Sequence, residues 1–349
     1  MRLGLNLGYW GAGDDAGNLA LAQEADRLGF SVAWAAEAYG SDAVTVLTWV
    51  AAHTQKMDVG SAIFQIPARS PAMAAMTAAT LDSLSGGRFR LGVGASGPQV
   101  SEGWHGVRFD APLGRTREYI DIVRMALRRE RVQYEGKHYT LPLPDGPGKA
   151  LKLIVHPVRE TIPIYLAAIG PKNLELAGEI ADGWLAIFFS PEHAGEQLEH
   201  VRAGAAKADR DMATFDVVPT VPVVLGDDLA ACAEPLKAYA ALYIGGMGSR
   251  EKNFYNALAR RMGYDQEAQQ IQDLYLGGDK MGAMQAVPFE FVDQTSLLGT
   301  TERMVDRLQA YAESGVTTLS ITPWAPTQEG RIETLRTVVD AMDKAGLGT

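Results

Sequence analysis

Cysteine is almost missing from this sequence: Cys232 is the single one in 349 residues. An internal disulfide is therefore excluded, and so is any zinc site built on paired thiolates. Such a composition fits a reducing cytoplasm. Long apolar runs are missing too. No stretch reaches the roughly 18 consecutive apolar residues of a membrane span. Met1 runs directly into Arg2-Leu3-Gly4-Leu5-Asn6-Leu7, which alternates like a strand and not like a signal peptide. Positive charge is scarce: 32 Lys and Arg face 42 Asp and Glu, a formal net charge of −10. That disfavours non-specific nucleic-acid binding while leaving room for a local basic pocket. The six histidines form no His-x-x-x-His or His-Glu-x-x-His pair, so no metal centre is expected. Neither a Gly-x-Ser-x-Gly elbow nor a Walker phosphate loop is present.

What is there is a folded, rhythmic chain. Hydrophobic residues make up 47% and charged residues 21%, too apolar for dominant disorder. Strand-like runs cover Leu3–Leu7, Val32–Ala36, Met57–Ile66, Phe89–Val93, Ile162–Ile169, Trp184–Phe189, Phe215–Leu225 and Val316–Ile321. Helical patterns follow them at Gly17–Leu28, Asp42–Thr54, Pro71–Leu84, Leu113–Arg129, Pro171–Ala181, Pro191–Ala208, Glu302–Ala312 and Arg331–Ala345. Val132–Leu141 reads as a surface hairpin. Eight βα units in one chain most economically close into a (β/α)8 TIM barrel, one domain over 1–349. A doubly wound sheet with an appended domain is the alternative. About seventy residues, Gly226–Leu298, separate strand seven from its helix and look helical themselves, too long for a plain connection. They are expected as an insertion over the barrel mouth: a lid, an oligomer contact or plain decoration.

In such barrels the chemistry sits at the carboxyl ends of the strands. Gly92-Val93-Gly94-Ala95-Ser96-Gly97 matches G-x-G-x-x-G but follows the fourth strand, and Pro98 continues it as a loop before any clear helix, so a dinucleotide fold is not read from it. It remains a turn where a ligand can approach the backbone. Ala168-Ile169-Gly170-Pro171-Lys172 opens a helix whose free N–H groups, with Lys172, suit an anion. Glu37 ends strand two at the mouth, as a ligand contact or a salt bridge. Glu102, Trp104 and His105 lie in the loop after strand four, and Trp324 follows strand eight.

The string Thr80-Leu81-Asp82-Ser83-Leu84-Ser85-Gly86-Gly87-Arg88-Phe89-Arg90-Leu91-Gly92-Val93-Gly94 resembles a hallmark of the bacterial luciferase-like superfamily. So do Tyr165–Pro171 and Glu179-Ile180-Ala181-Asp182-Gly183-Trp184. Within it the chain is similar to oxidoreductases that use the deazaflavin coenzyme F420, and Gln99–Gly106 resembles an actinobacterial branch of them. The resemblance implies hydride transfer between C5 of F420 and a small organic substrate, with the ring at the carboxyl ends of the strands. It implies a non-prolyl cis peptide at Ala62-Ile63 behind the ring, and cofactor contacts from Glu37, Ala95, Ser96, Gly97, Gln99, Ala168, Ile169, Gly170 and Lys172. Sugar-phosphate dehydrogenases of the group carry a catalytic histidine after the acidic residue of strand two; here that position is Ala38. Proton transfer then falls to Glu37, Glu102 or His105. A luciferase-type monooxygenase using flavin mononucleotide (FMN), and a non-catalytic flavin-binding barrel, are the alternatives. Relatives often form homodimers through early helices, here Asp42–Leu84.

Overall fold

The computed structural model describes residues 1–10 and 15–348. Along the chain run β1 (Arg2–Gly8), α1 (Asp15–Arg27), β2 (Val32–Ala35), α2 (Ala43–His53), β3 (Asp58–Ser61), β4 (Phe64–Gln65), α3 (Pro71–Leu84), β5 (Phe89–Gly94), α4 (Pro98–Gly103) and α5 (Pro112–Leu127). A hairpin of β6 (Tyr134–Glu135) and β7 (Thr140–Leu141) precedes β8 (Ile164–Ala167), α6 (Pro171–Ile180), β9 (Gly183–Ile187), α7 (Ala194–Lys207) and β10 (Asp216–Leu225). Then come α8 (Leu229–Ala241), α9 (Phe254–Arg261), α10 (Asp265–Leu276), α11 (Lys280–Gln285) and α12 (Phe289–Gln294). The chain closes with β11 (Leu297–Gly299), α13 (Thr301–Glu313), β12 (Thr318–Pro323) and α14 (Gln328–Lys344).

The parallel ladder runs β12-β1-β2-β3-β5-β8-β9-β10 and returns from β10 to β12, so the sheet closes into an eight-stranded barrel ringed by helices. The main core lies between strands and helices, where Leu5, Leu47, Phe89, Leu166 and Leu319 are buried. Helix starts follow capping chemistry: Asp42 accepts from Thr45 N–H (2.8 Å) at α2, and Ser70 with Pro71 opens α3. Among the described residues no helix is long and apolar enough to cross a membrane.

Three expectations need correction. The run Met57–Ile66 is not one strand: pairing stops at Ser61, the cis peptide Ala62-Ile63 follows, and pairing resumes as Phe64 opposite Val93. Ala62-Ile63 is the bond the sequence reading singled out. Secondly, Pro98 does not continue a loop. Gly97 directly caps the six-residue helix α4, because proline at the first helical position is pre-set for it. Thirdly, the insertion contributes a strand of its own: β11 lies parallel to the end of β10, Val223 opposite Leu297. The hydrophobic run Val223–Leu225 extends past the barrel proper and needs that partner.

The insertion is helical as expected and has its own apolar core, in which Leu236, Ile244, Leu258, Ile271 and Phe291 are buried. Phe188 and Leu298 belong to that core, with Ile169 and Ile187 packed against it. Ile187 ends β9, Phe188 follows it, and Ile169 lies just past β8, so the insertion sits over the carboxyl end of the barrel.

Candidate active site

Side chains of a barrel strand alternate between the interior and the helical layer. In the lower half the inward positions are closed: Gly4, Gly60, Arg90, Tyr165, Asp216, Val218 and Ser320 are all buried. Toward the carboxyl ends the same alternation gives Asn6, Ala62, Ala167, Leu185, Ile187, Thr220, Pro222 and Thr322, all partly exposed. The barrel thus has a filled floor and an open mouth.

The floor is a buried charge network. Arg90 donates to Asp58 (2.8 Å), Asp216 (3.3 Å) and the Tyr165 hydroxyl (3.2 Å). Tyr165 in turn donates to Asp216 (2.9 Å). Trp34 packs edge-on against Tyr165 just above, with ring centroids 5.1 Å apart. Gly60 must be glycine there, since a Cβ would stand 2.3 Å from the Trp34 ring.

On the side of β3, β5 and β8 the mouth wall is small: Ala62, Gly92, Gly94 and Ala167. Gly92 has no room for a side chain: a Cβ would lie 1.9 Å from the Ser61 carbonyl oxygen. Ile63 lies over Gly94, where a Cβ would stand 2.3 Å from its Cδ1. Gly97 and Gly170 have open space where a side chain would be. Helix α6 starts at Gly170 with no side-chain cap, which leaves its first N–H groups for a ligand or water.

Several expected residues meet around Gln65. Its amide accepts from the Ser96 hydroxyl (3.0 Å) and donates to the Ala38 carbonyl (2.8 Å). Its backbone N–H approaches Glu37 (3.3 Å). Ser96 holds a positive φ of 61°, which turns the chain across the mouth. Glu37 resolves toward the salt bridge: Arg69 grips both carboxylate oxygens at 2.7 and 2.9 Å, and the Ala43 N–H lies 3.3 Å away. Both side chains are nearly buried. Burial opposes the Arg69 charge, yet Glu37, helped by Tyr119 and Asp42, holds the guanidinium pKa above its usual value.

Ala168 and Ile169 have engaged carbonyls: Trp184 donates to the first (2.9 Å) and Arg261 of α9 to the second (3.0 Å), latching the insertion to the rim. Lys172, Gln99, Glu102 and Trp104 are exposed. The Glu102 carboxylate accepts from the Phe109 N–H (3.0 Å). The His105 Nε2 is buried without a partner among the described residues, closed off from solvent. Trp324 is 36% exposed at the rim.

Sequence reasoning missed Arg69 and Gln65, and also a side cavity of about 350 Å³ that Arg69, Arg108 and Arg115 share with Ala95 and Tyr139. It also missed the insertion's tyrosines. No spacing rule marks such residues, because their roles depend on which loops meet at the rim. Among the described residues no cluster of His, Cys, Asp and Glu could hold a metal.

Comparison with known proteins places this geometry. The luciferase-like monooxygenase family matches residues 11–318. A Mycobacterium tuberculosis protein assigned as a coenzyme F420-dependent oxidoreductase is 46% identical over 92% of this chain and 95% of its own. The 5,10-methylenetetrahydromethanopterin reductase of Archaeoglobus fulgidus is 28% identical over 84% of this chain and 85% of its own. The structure of the F420-dependent tetrahydromethanopterin reductase of Methanopyrus kandleri superposes with a TM-score of 0.80 at 27% identity, covering 96% of this chain and 97% of that one.

Proposed function

This chain belongs to the luciferase-like monooxygenase family, and from that membership we propose that it is a coenzyme F420-dependent oxidoreductase acting on a small organic substrate. The observation that carries the reading is the open mouth over a filled floor, walled on the side of β3, β5 and β8 by small residues. A flat tricyclic ring can lie there against backbone. The residues fit the group: Ile63 stands behind the ring position, and Ala62, Ala95, Ser96, Gly97, Ala168, Ile169 and Gly170 line its approach. The uncapped start of α6 with Lys172 and the arginine-lined side cavity suit an anionic tail. Gln99 lies exposed at the edge of that approach.

When bound, F420 supplies two-electron hydride chemistry at C5 and activates oxygen poorly. The chain's own residues supply the rest. The mouth orients the substrate against the ring, and the insertion excludes water. Glu37 supports the rim through Arg69 and Gln65, and its engaged oxygens take it out of proton transfer. Glu102 is held by Phe109 and exposed. The buried His105 Nε2 would exchange a proton only if the loop after α4 moved.

Anaerobic turnover tests the reading. Reduced F420 is expected to be oxidised by a carbonyl substrate with no oxygen present. Oxygen uptake driven by reduced FMN, with F420 inert, would support the monooxygenase instead.

A homodimer is part of the same proposal. Trp49 on α2 and Met73, Met76 and Leu84 on α3 are each more than half exposed, so these methionines do not serve the barrel's own core. Light scattering should return twice the 37.5 kDa chain mass; a monomer at micromolar concentration would contradict it.

A further inference from the structure

The side cavity of about 350 Å³ lies at the small end of the range for ligand pockets. Its walls come from residues 66–70 after β4, the loop before α5, the first turn of α5 and Tyr139 in the β6–β7 turn. Of its lining, Ala95 alone also lines the mouth. The start of α6 and this cavity both suit an anion, but they stand on opposite sides of the β5 turn. Helix α6 follows β8, which pairs with one edge of β5. The wall 66–70 follows β4, which pairs with the other edge. A cofactor tail that runs to the open start of α6 leaves the cavity to a second ligand.

Three arginines line the cavity, and they are not equally engaged. Arg69 pairs with Glu37 at 2.7 Å and has Asp42 at 3.7 Å. Arg115 pairs with Asp110 at 2.9 Å. Arg108 is exposed and makes no ion pair or hydrogen bond among the described residues. Glu102, on α4, is occupied by the Phe109 N–H instead (3.0 Å). One guanidinium at the cavity therefore lacks a counter-charge, and its planar fork matches a carboxylate through two parallel bonds. A single open charge fits a monoanion better than a phosphate monoester, which carries about two charges.

The surroundings add to this. Helix α5 opens at Pro112 with no side-chain cap, from Ala111 at φ 43°, so its positive end is free beside Arg115 and Thr116. Tyr119 packs edge-on against Tyr139, centroids 6.3 Å apart, and its buried hydroxyl has no partner among the described residues. The remaining walls are largely apolar, with Ile66, Pro67, Val107, Phe109 and Pro112. A hydrophilic chain gains nothing from such walls, whereas an apolar body is taken out of water there. Phe109 also packs on Phe254 of α9 at 6.4 Å, so the insertion braces this side.

We propose that the side cavity binds a small monocarboxylic acid with an apolar body, separately from the cofactor, with Arg108 as the carboxylate's anchor. The site stands on its own lining and does not depend on which flavin occupies the mouth.

Calorimetric titration of the full chain without cofactor tests it, with benzoate, 3-phenylpropionate and 3-phenylpropionamide as probes. At least one of the two acids should bind saturably, one molecule per chain. The neutral amide should bind at least about ten-fold weaker than 3-phenylpropionate, as expected on losing a charged hydrogen bond. Arg108→Gln should weaken the acid by about ten-fold or more and leave the circular dichroism spectrum unchanged, since Arg108 is exposed and unpaired. Arg108→Lys should keep part of the affinity, because the charge stays and the fork is lost. Saturation with F420 beforehand should change the acid's affinity by no more than about two-fold. No saturable binding of either acid, an amide that binds equally well, or unaltered affinity in Arg108→Gln would each overturn the proposal. So would loss of the acid on F420 saturation, which would give the cavity to the cofactor's tail. If F420 itself does not bind, the cofactor reading falls, and the comparison of acid, amide and Arg108→Gln still decides this one.

Discussion

Asp216→Ala is expected to lower the unfolding free energy by about 3–5 kcal/mol, the usual cost of removing one partner from a buried ion pair. Asp216 sits at the first residue of β10, on the barrel axis, with its side chain 6% exposed. It accepts from the Tyr165 hydroxyl (2.9 Å), Arg90 (3.3 Å) and the Thr318 hydroxyl (2.8 Å), and pairs with Arg2 at 2.9 Å. Alanine would leave Arg90, itself 9% exposed, with only Asp58 at the edge of the network. Arg90 would keep only the partly exposed Asp58 and lose its buried counter-charge, and the Tyr165 hydroxyl would lose its acceptor. Urea denaturation followed by circular dichroism measures the loss. A change under about 1 kcal/mol would mean the floor is better hydrated than the packing shows.

Arg69→Met carries the second large effect, on stability and on the site together. Methionine keeps an apolar stem over Phe64, whose ring centre lies 4.3 Å from the guanidinium carbon. It removes both charge-assisted bonds to Glu37 and strands a carboxylate whose side chain is 8% exposed. The expected cost is about 3 kcal/mol in stability. F420 affinity should fall at least ten-fold, because Glu37 fixes the Gln65 N–H and Gln65 fixes Ser96. The double variant Glu37→Gln, Arg69→Met removes the stranded charge as well and should recover a large part of the stability loss. If the double variant is less stable than Arg69→Met, the pair is not acting through charge.

The sequence carried the barrel further than the site, for a physical reason. The (β/α)8 count rests on periodicity and on glycine and proline punctuation, which are local. The family-like strings turn out to be mostly structural. Asp82 accepts from Arg159 (2.9 Å), Arg88 donates to the Ala51 carbonyl (2.9 Å), and Arg90 anchors the floor. Asp182 accepts from the Ile164 N–H at 2.8 Å. They mark the frame of the barrel more than its chemistry. Glu37 was legible as a rim carboxylate, but its partner Arg69 is 32 residues away and no local rule joins them. The packing of Tyr239, Tyr243 and Tyr255 around Phe188 was harder still, because it joins separate elements of the insertion to the residue after β9, and a scattered tyrosine in a helix shows no period of its own. The short helix α4 and the strand β11 were missed because each is too brief to show a period.

The central claim is that the mouth of this barrel is shaped for a deazaflavin. Equilibrium titration of the purified chain, with F420 and FMN compared by their fluorescence, tests it most directly. Saturable F420 binding at micromolar or lower concentration, with FMN at least ten-fold weaker, is the predicted result. Tight FMN binding with no measurable affinity for F420 would contradict the account.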